Sequence, residues 1–272
     1  MNNFLEKIIA YKHHEVEKNK TFYPSKLLEQ SIYFETAAVS MKGFLLRKNA
    51  SGIIAEFKRA SPSKGTINKH AAVETVSIGY MQAGASALSV LTDAHFFDGS
   101  NQDLTEARKF NYAPILYKNF IVDEYQLIEA KAAGADVILL IAECLTKTQL
   151  KNLATTAKSL GLEVLMELHD ALQLEKLCEQ VDIVGVNNRD LKSFEVSIKR
   201  SIEIGALIPE SYLKISESGI RHPETVLSLR QHGFKGFLMG EHFMRHARPQ
   251  DACSKFIKSI KQQQKPLYAY EN

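Results

Sequence analysis

Residues 132–142 read Ala132-Ala133-Gly134-Ala135-Asp136-Val137-Ile138-Leu139-Leu140-Ile141-Ala142, and their order decides the fold. A small residue and Gly close an amphipathic stretch, and an unbroken apolar run follows. Gly just past a helix end takes the left-handed conformation at no steric cost. The run Val137 to Ala142 lacks polar alternation, so it reads as a strand buried on both faces, as parallel strands are. The same phrase recurs along the chain. Ala83-Gly84-Ala85 precedes Ala87 to Leu91, Leu160-Gly161-Leu162 precedes Val164 to Leu168, and His232-Gly233-Phe234 precedes Gly236 to Met239.

Extending that reading outward predicts eight strands: Ile53–Lys58, Ala87–Thr92, Pro114–Phe120, Val137–Glu143, Glu163–Leu168, Ile183–Asn188, Leu213–Ser218 and Gly236–Glu241. Helical patterns such as Thr148–Leu160 and Pro223–Gln231 lie between them. A strand-to-strand spacing of roughly 20 to 35 residues is the size of a βα unit. Eight such units in about 220 residues give an α/β chain of the (β/α)8, or TIM barrel, class. A doubly wound open sheet is the alternative and usually has fewer strands. Residues 1–50 precede the first strand and form an N-terminal helical extension. Asn3–Asn19 carries Phe4, Leu5, Ile8, Ile9 and Val16 at roughly helical spacing. Ser25 is the expected N-cap of a second helix through Leu27, Leu28 and Ile32. No linker separates the extension from the rest, so residues 1–272 are expected to form one barrel domain. The polar tail from Gln262 to Asn272 is expected to fray.

Composition narrows the function. The 272 residues are 45% hydrophobic and 24% charged, which excludes a disordered chain, a collagen-like fibre and a coiled coil. Basic and acidic residues number 34 and 31. That balance excludes a nucleic-acid partner held by phosphate neutralisation, while a local site for a small anion stays open. No apolar run approaches the ~20 residues of a membrane helix. The charged N-terminus has no signal-peptide core, so a cytoplasmic protein with no membrane partner is expected. Cys144, Cys178 and Cys253 are odd in number and widely spaced. They read as reduced buried thiols, not as a disulfide frame or a zinc site.

In a barrel of this kind the chemistry lies at the carboxyl ends of the strands. Strand one ends in Glu56-Phe57-Lys58, strand three carries Lys118 and strand five carries Glu167. Strand six ends in Asn187-Asn188-Arg189, strand seven in Glu217-Ser218-Gly219 and strand eight in Gly240-Glu241. Charges inside apolar runs are costly to bury unless paired. A structural ion-pair network explains one such charge as well as a site does. It explains less well carboxylates and lysines on strands one, three and five together. Period-two alternation puts Glu56 and Lys58 on one side of strand one. A lysine beside a glutamate in a closed site can serve as acid and base. Phosphate is expected at the loops after strands seven and eight, where Gly219 and Gly240 allow close approach of backbone amides. Tight βα turns would also explain these glycines. Ser61-Pro62-Ser63-Lys64-Gly65 adds hydroxyl and amide donors in a loop long enough to act as a lid. His242 and His246 lack an obvious third ligand, so no metal is expected. No Gly-rich nucleotide signature is present.

The motif Ile53-Ile54-Ala55-Glu56-Phe57-Lys58-Arg59-Ala60-Ser61-Pro62-Ser63-Lys64-Gly65 resembles the signature of the indole-3-glycerol-phosphate synthase family. The likeness continues through Leu91-Thr92, Phe97-Asp98-Gly99-Ser100, Lys118-Asn119-Phe120-Ile121-Val122-Asp123 and Leu139-Leu140-Ile141. It runs on through Glu167, Gly185-Val186-Asn187-Asn188-Arg189-Asp190-Leu191, Ser216-Glu217-Ser218-Gly219-Ile220 and Phe237-Leu238-Met239-Gly240-Glu241. The resemblance implies a carboxy-lyase of tryptophan biosynthesis. Its reaction converts 1-(2-carboxyphenylamino)-1-deoxyribulose 5-phosphate to indole-3-glycerol phosphate, with loss of carbon dioxide and water. It implies no cofactor, a small phosphorylated substrate as partner, and a monomer or weak homo-oligomer. By that resemblance Lys118 is the general acid of ring closure. Lys58 stands near the substrate carboxylate or serves as the acid in dehydration. Glu56 and Glu167 orient the lysines and take protons. Asn187, Arg189 and Ser218 hold substrate hydroxyls, carboxylate or neighbouring side chains. Ser61, Gly219, Gly240 and the Glu241 amide hold phosphate. One departure stands out: the family commonly has Asp where this chain has Asn119. An amide supplies no negative charge, so Lys118 is expected to lose its proton at a lower pH than with Asp.

Overall fold

A computed structural model describes residues 4–190 and 193–264 of the chain. The predicted helix start at Asn3, Leu191 and the tail beyond residue 264 lie outside the described residues. Eight parallel strands close into a barrel. They are β1 (Ile53–Phe57), β2 (Ala87–Leu91), β3 (Ile115–Lys118), β4 (Val137–Ile141), β5 (Glu163–Leu168), β6 (Ile183–Asn187), β7 (Leu213–Glu217) and β8 (Phe234–Met239). Each pairs with its neighbours in sequence, and β8 closes on β1 through Ile53↔Phe237 and Ile54↔Leu238. The four glycines of the recurring phrase, Gly84, Gly134, Gly161 and Gly233, all have positive φ, as their place after a helix requires.

Alternation along the strands divides the apolar residues into two cores. Ile53, Ala55 and Phe57 of β1, Ile115 and Tyr117 of β3, and Val164, Met166 and Leu168 of β5 face the outer helices. Ile54, Leu116, Leu165 and Ile215 face inward, with Val137, Leu139 and Ile141 of β4. Three helices precede the barrel: α1 (Phe4–Phe22), α2 (Ser25–Leu28) and α3 (Met41–Leu45). Met41 and Leu45 of α3 join the inner core and plug the amino-terminal end of the barrel. Glu163, a charged residue opening β5, is explained there: its carboxylate accepts from Met41 N at 2.7 Å and Lys42 N at 3.1 Å at the start of α3.

Several boundaries differ from the sequence reading. Glu143 leaves the strand and enters a 3-10 turn at Ala142–Cys144. The crossover from β5 to β6 is a 3-10 turn, Ala171–Lys176, not an α-helix. Ser25 is not an N-cap, because Pro24 holds that position and makes no side-chain cap bond. The helix it opens lasts one turn, and Ile32 is exposed. Cys253 is buried, whereas Cys144 and Cys178 are only partly so; all three are free thiols. Among the described residues no helix is long and apolar enough to cross a membrane.

The buried face of α1 is Leu5, Ile8, Lys12 and Val16, a helical stripe with a lysine inside it. Lys12 is fully buried, and its ammonium lies 2.5 Å from Asp93 Oδ2 and 2.5 Å from Glu15 Oε2. Asp93 also accepts from Phe96 N and caps the short helix Ala94–Phe97 just beyond β2. Further along α1, Asn19 donates to Glu129 at 3.0 Å and Lys20 pairs with Asp123 at 2.9 Å. These contacts lay α1 across the carboxyl-terminal mouth of the barrel, where Phe4, Leu5 and Ile8 line the cavity.

Candidate active site

Barrel interiors are filled in layers of four side chains, each layer drawn from alternate strands. The odd strands here give two such layers, one pleat step apart. Ile54, Leu116, Leu165 and Ile215 form the lower one. Two residues on along each strand stand Glu56, Lys118, Glu167 and Glu217, in the same inward phase and on the cavity wall. Neighbouring strands make room for them. A side chain at Gly185, which registers beside Glu167 and Ile215, would collide with the Glu217 carboxylate. One at Gly240 would collide with Glu56.

Lys118 lies between two carboxylates. Its Nζ is 2.7 Å from Glu167 Oε2 and 2.8 Å from Glu217 Oε2. Burial opposes the charge on Lys118, but Glu167, Glu217 and Glu56 outweigh it and raise its pKa. The two carboxylates split apart. Burial raises the pKa of Glu167, yet Lys118 and His169 outweigh it and the net shift is downward. Burial raises that of Glu217 as well, Lys118 offsets this only in part, and Glu167 adds to the rise. Two like charges so close cannot both ionise freely, and the proton the pair retains sits on Glu217. A second lysine stands apart: Lys58 Nζ is 2.7 Å from Glu56 Oε1, as period-two alternation requires. Ser89 donates to the other Glu56 oxygen at 3.5 Å.

Asn187 Nδ2 donates to Glu167 Oε1 at 3.2 Å, and its own Oδ1 accepts from Arg189 N at 3.0 Å. Arg189 reaches Glu241 at 3.1 Å and ties the β6 loop to the β8 loop. Ser218 and Gly219 have φ of +67° and +75°, a left-handed turn that strains the serine. Behind it Asn188, fully buried, donates to Ser218 O at 3.0 Å and to Ser216 Oγ at 2.9 Å. Ser61 ends the first strand of an antiparallel ribbon, Ala60–Ser61 against Gly65–Thr66, and its buried hydroxyl has no hydrogen-bond partner among the described residues. Glu56, Lys58, Ser61, Lys118, Glu167, Asn187, Arg189, Ser218, Gly219, Gly240 and Glu241, predicted from sequence, all line one cavity.

The sequence reading noted Glu217 at the end of its strand but gave the role there to Ser218. Its phase with Leu213 and Ile215 was the available signal. Arg221 and Arg245, also on the cavity wall, were not picked out. Asn119 takes no part in the Lys118 ion pairs. Its amide donates to Thr92 Oγ1 at 2.8 Å and Tyr117 Oη at 3.3 Å, on the outer side of β3. Burial aside, Lys118 takes its pKa shift from Glu167, Glu217 and Glu56. His242 and His246 stand with ring centroids 6.3 Å apart. Among the described residues no cluster of three or more metal-ligating side chains occurs.

The indole-3-glycerol phosphate synthase family model matches residues 5–256. The chain is 45% identical over 260 residues to indole-3-glycerol phosphate synthase of Bacteroides thetaiotaomicron, covering 96% of this chain and 100% of that one. It is 40% identical over 258 residues to the Campylobacter fetus enzyme of the same name, covering 94% and 98%. Among solved structures, 3-hexulose-6-phosphate synthase from Salmonella typhimurium superposes with a TM-score of 0.61 at 14% identity, over 78% of this chain and 99% of the other. A mutant tryptophan synthase alpha-subunit from Pyrococcus furiosus gives 0.60 at 14% identity, over 78% and 98%. Those two likenesses are of fold alone. With the family model spanning the barrel and relatives matched over nearly their whole length, the chain belongs to the indole-3-glycerol phosphate synthase family.

Proposed function

We propose that this chain converts 1-(2-carboxyphenylamino)-1-deoxyribulose 5-phosphate to indole-3-glycerol phosphate, carbon dioxide and water. The observation that carries the mechanism is the Lys118 ammonium, held between Glu167 and Glu217 beside the separate Lys58–Glu56 pair. Ring closure joins the aromatic carbon that bears the carboxylate to the ketone carbon. The ketone oxygen gains negative charge as this bond forms. Lys118 gives it a proton and leaves a hydroxyl. Loss of carbon dioxide returns the bonding electrons to the ring and restores its aromaticity. The hydroxyl then leaves as water with a proton from an acid, and a proton leaves the five-membered ring to a base. Glu167, held ionised, suits the base, and Glu217, which keeps its proton, can return one to the lysine. Lys58 is placed to meet the substrate carboxylate or to assist dehydration.

The remaining assignments follow the same cavity. Asn187, Arg189 and Ser218 meet the substrate's hydroxyl and carboxylate groups. Ser61, Gly219, Gly240 and the Glu241 amide receive the phosphate, with Arg221 and Arg245 supplying positive charge. Phe4, Phe97, Phe120 and Phe194 give the aromatic end an apolar wall. The extension, residues 1–50, belongs to the same domain because α1 completes that wall. Incubating the purified chain with this substrate should release carbon dioxide and build the indole chromophore in equal amounts. Substrate left intact under those conditions overturns the reading.

A further inference from the structure

Lys118 sees two carboxylates at nearly equal distance, 2.7 Å and 2.8 Å, through the Oε2 atom of each. Both Glu167 and Glu217 are buried. Neither distance nor burial therefore tells base from acid, and the difference lies at the other oxygen. Oε1 of Glu217 is buried with no hydrogen-bond partner among the described residues. Oε1 of Glu167 accepts from Asn187, and His169 Nε2 stands 3.3 Å from it.

His169 is two residues past Glu167 at the end of β5, with 8% of its side chain exposed. Both of its ring nitrogens are buried without an aligned hydrogen bond among the described residues. Buried polar groups in that state are rare and call for an explanation. The cavity wall does not include His169, so contact with substrate does not supply one. Glu167, Glu143, Lys118 and Arg200 are the charged groups acting on the imidazole. Burial, the largest influence, pushes its pKa down, so the ring is neutral at pH 7 and carries one N–H. Placed on Nε2, that hydrogen lies on the ring edge nearest Glu167 Oε1, off the line of a hydrogen bond.

We propose that His169 is the positioning residue that makes Glu167, and not Glu217, the base beside Lys118. An N–H edge 3.3 Å from one oxygen favours the ionised form of that carboxylate and restricts how it turns. With Asn187 it sets two N–H groups beside Oε1 of Glu167, whereas Oε1 of Glu217 has no hydrogen-bond partner among the described residues. The retained proton is thereby kept on Glu217, and Glu167 is ready to accept the ring proton.

The proposal rests on the function given above, and one experiment separates the two. Wild type, H169N and H169Q are assayed with the carboxyphenylamino substrate, and kcat and KM are followed separately. The amide nitrogen of Gln reaches roughly where Nε2 stood, whereas that of Asn falls short. H169N should lose roughly tenfold or more in kcat, the scale of one hydrogen bond to a charged group, with KM held within about threefold. H169Q should recover most of that loss. H169Q against H169M reads the same contrast should H169N fail to fold. Wild type without turnover overturns the functional reading and this proposal with it. Wild-type turnover with H169N unimpaired, or with H169Q as impaired as H169N, overturns the positioning role alone.

Discussion

Two layers of the barrel interior, drawn from the same four strands, differ by one pleat step and do opposite work. The lower, Ile54, Leu116, Leu165 and Ile215, is aliphatic and buried. Each such side chain contributes about 1.5–3 kcal/mol by leaving water. The upper is ionisable: Glu56, Glu167 and Glu217 are buried and Lys118 is partly so. Buried ion pairs often contribute less than apolar side chains of the same volume, because desolvation offsets much of their attraction. The comparison teaches that the upper layer is not there for stability. Stability comes from the aliphatic layer beneath it and the shell outside, which leaves the upper layer free to hold a charge pattern set by chemistry.

Substitutions that touch one layer at a time test this division. The largest effect on turnover is expected from Lys118→Met. Met fills similar volume without the proton, and loss of a general acid costs about 10²–10⁴-fold in rate. KM should hold, because the phosphate contacts lie on other loops; a steady-state assay within threefold of wild type would remove Lys118 from the mechanism.

Glu217→Gln comes next, at about 10²-fold in kcat. It also carries a pH signature. Glu217 is pushed from its ordinary 4.5 up to about 8, by burial first. A proton held there is lost as pH rises through about 8, so the alkaline limb of kcat/KM should fall there in wild type and vanish in the variant. Stability has a definite sign too. The native state binds a proton that the unfolded chain has released, so wild-type stability falls between about pH 5 and pH 8 through this group. The thermal midpoint of Glu217→Gln should fall less over that range, and parallel curves would place the proton elsewhere.

Ile215→Ala inverts the pattern. A cavity in the lower layer should cost about 2–5 kcal/mol of unfolding free energy. Turnover at 25 °C should change less, since the carboxylate two residues on keeps its strand. Denaturant titration and a rate assay on one preparation separate the two quantities. A loss of turnover comparable to that of Glu217→Gln would show that the layers are not independent.

How far the sequence spoke follows the same line. Local patterns carried most of the fold: Gly after a helix, then an unbroken apolar run, marked the strands to within a residue or two at most ends. Alternation along β1 placed Glu56 and Lys58 together before any coordinates. Glu217 and Ser218 are adjacent, and only the phase of β7 separates the inward residue from its neighbour. His169 lies beyond the end of its strand, where alternation no longer assigns a side. Lys12 and Asp93 are joined only by α1 crossing the mouth, a contact between distant residues that no local pattern encodes. The 3-10 crossover after β5 departs from the repeating unit.

Asn119→Asp is expected to have the smallest effect, and it tests whether the upper layer is electrically self-contained. Asn119 follows Lys118 just past the end of β3, and its amide turns to the side of Tyr117, away from the Lys118 ion pairs. Its amide donates to the hydroxyls of Thr92 and Tyr117, and its Oδ1 accepts from Phe120 N at 2.8 Å. Both hydroxyls can turn to donate instead, so an aspartate keeps every partner without moving the backbone. It adds a negative charge beside Thr92 and Tyr117. Lys118 already lies against Glu167 and Glu217, and its pKa is raised by them. A more remote carboxylate has little left to change, and the alkaline limb near pH 8 belongs to Glu217. Asn119→Asp should therefore leave kcat within about threefold, under about 0.7 kcal/mol of barrier, and leave the alkaline limb in place. An upward shift of that limb by a full pH unit would mean that charge behind β3 reaches the Lys118 cluster, and that the upper layer is tuned from both sides of the strand.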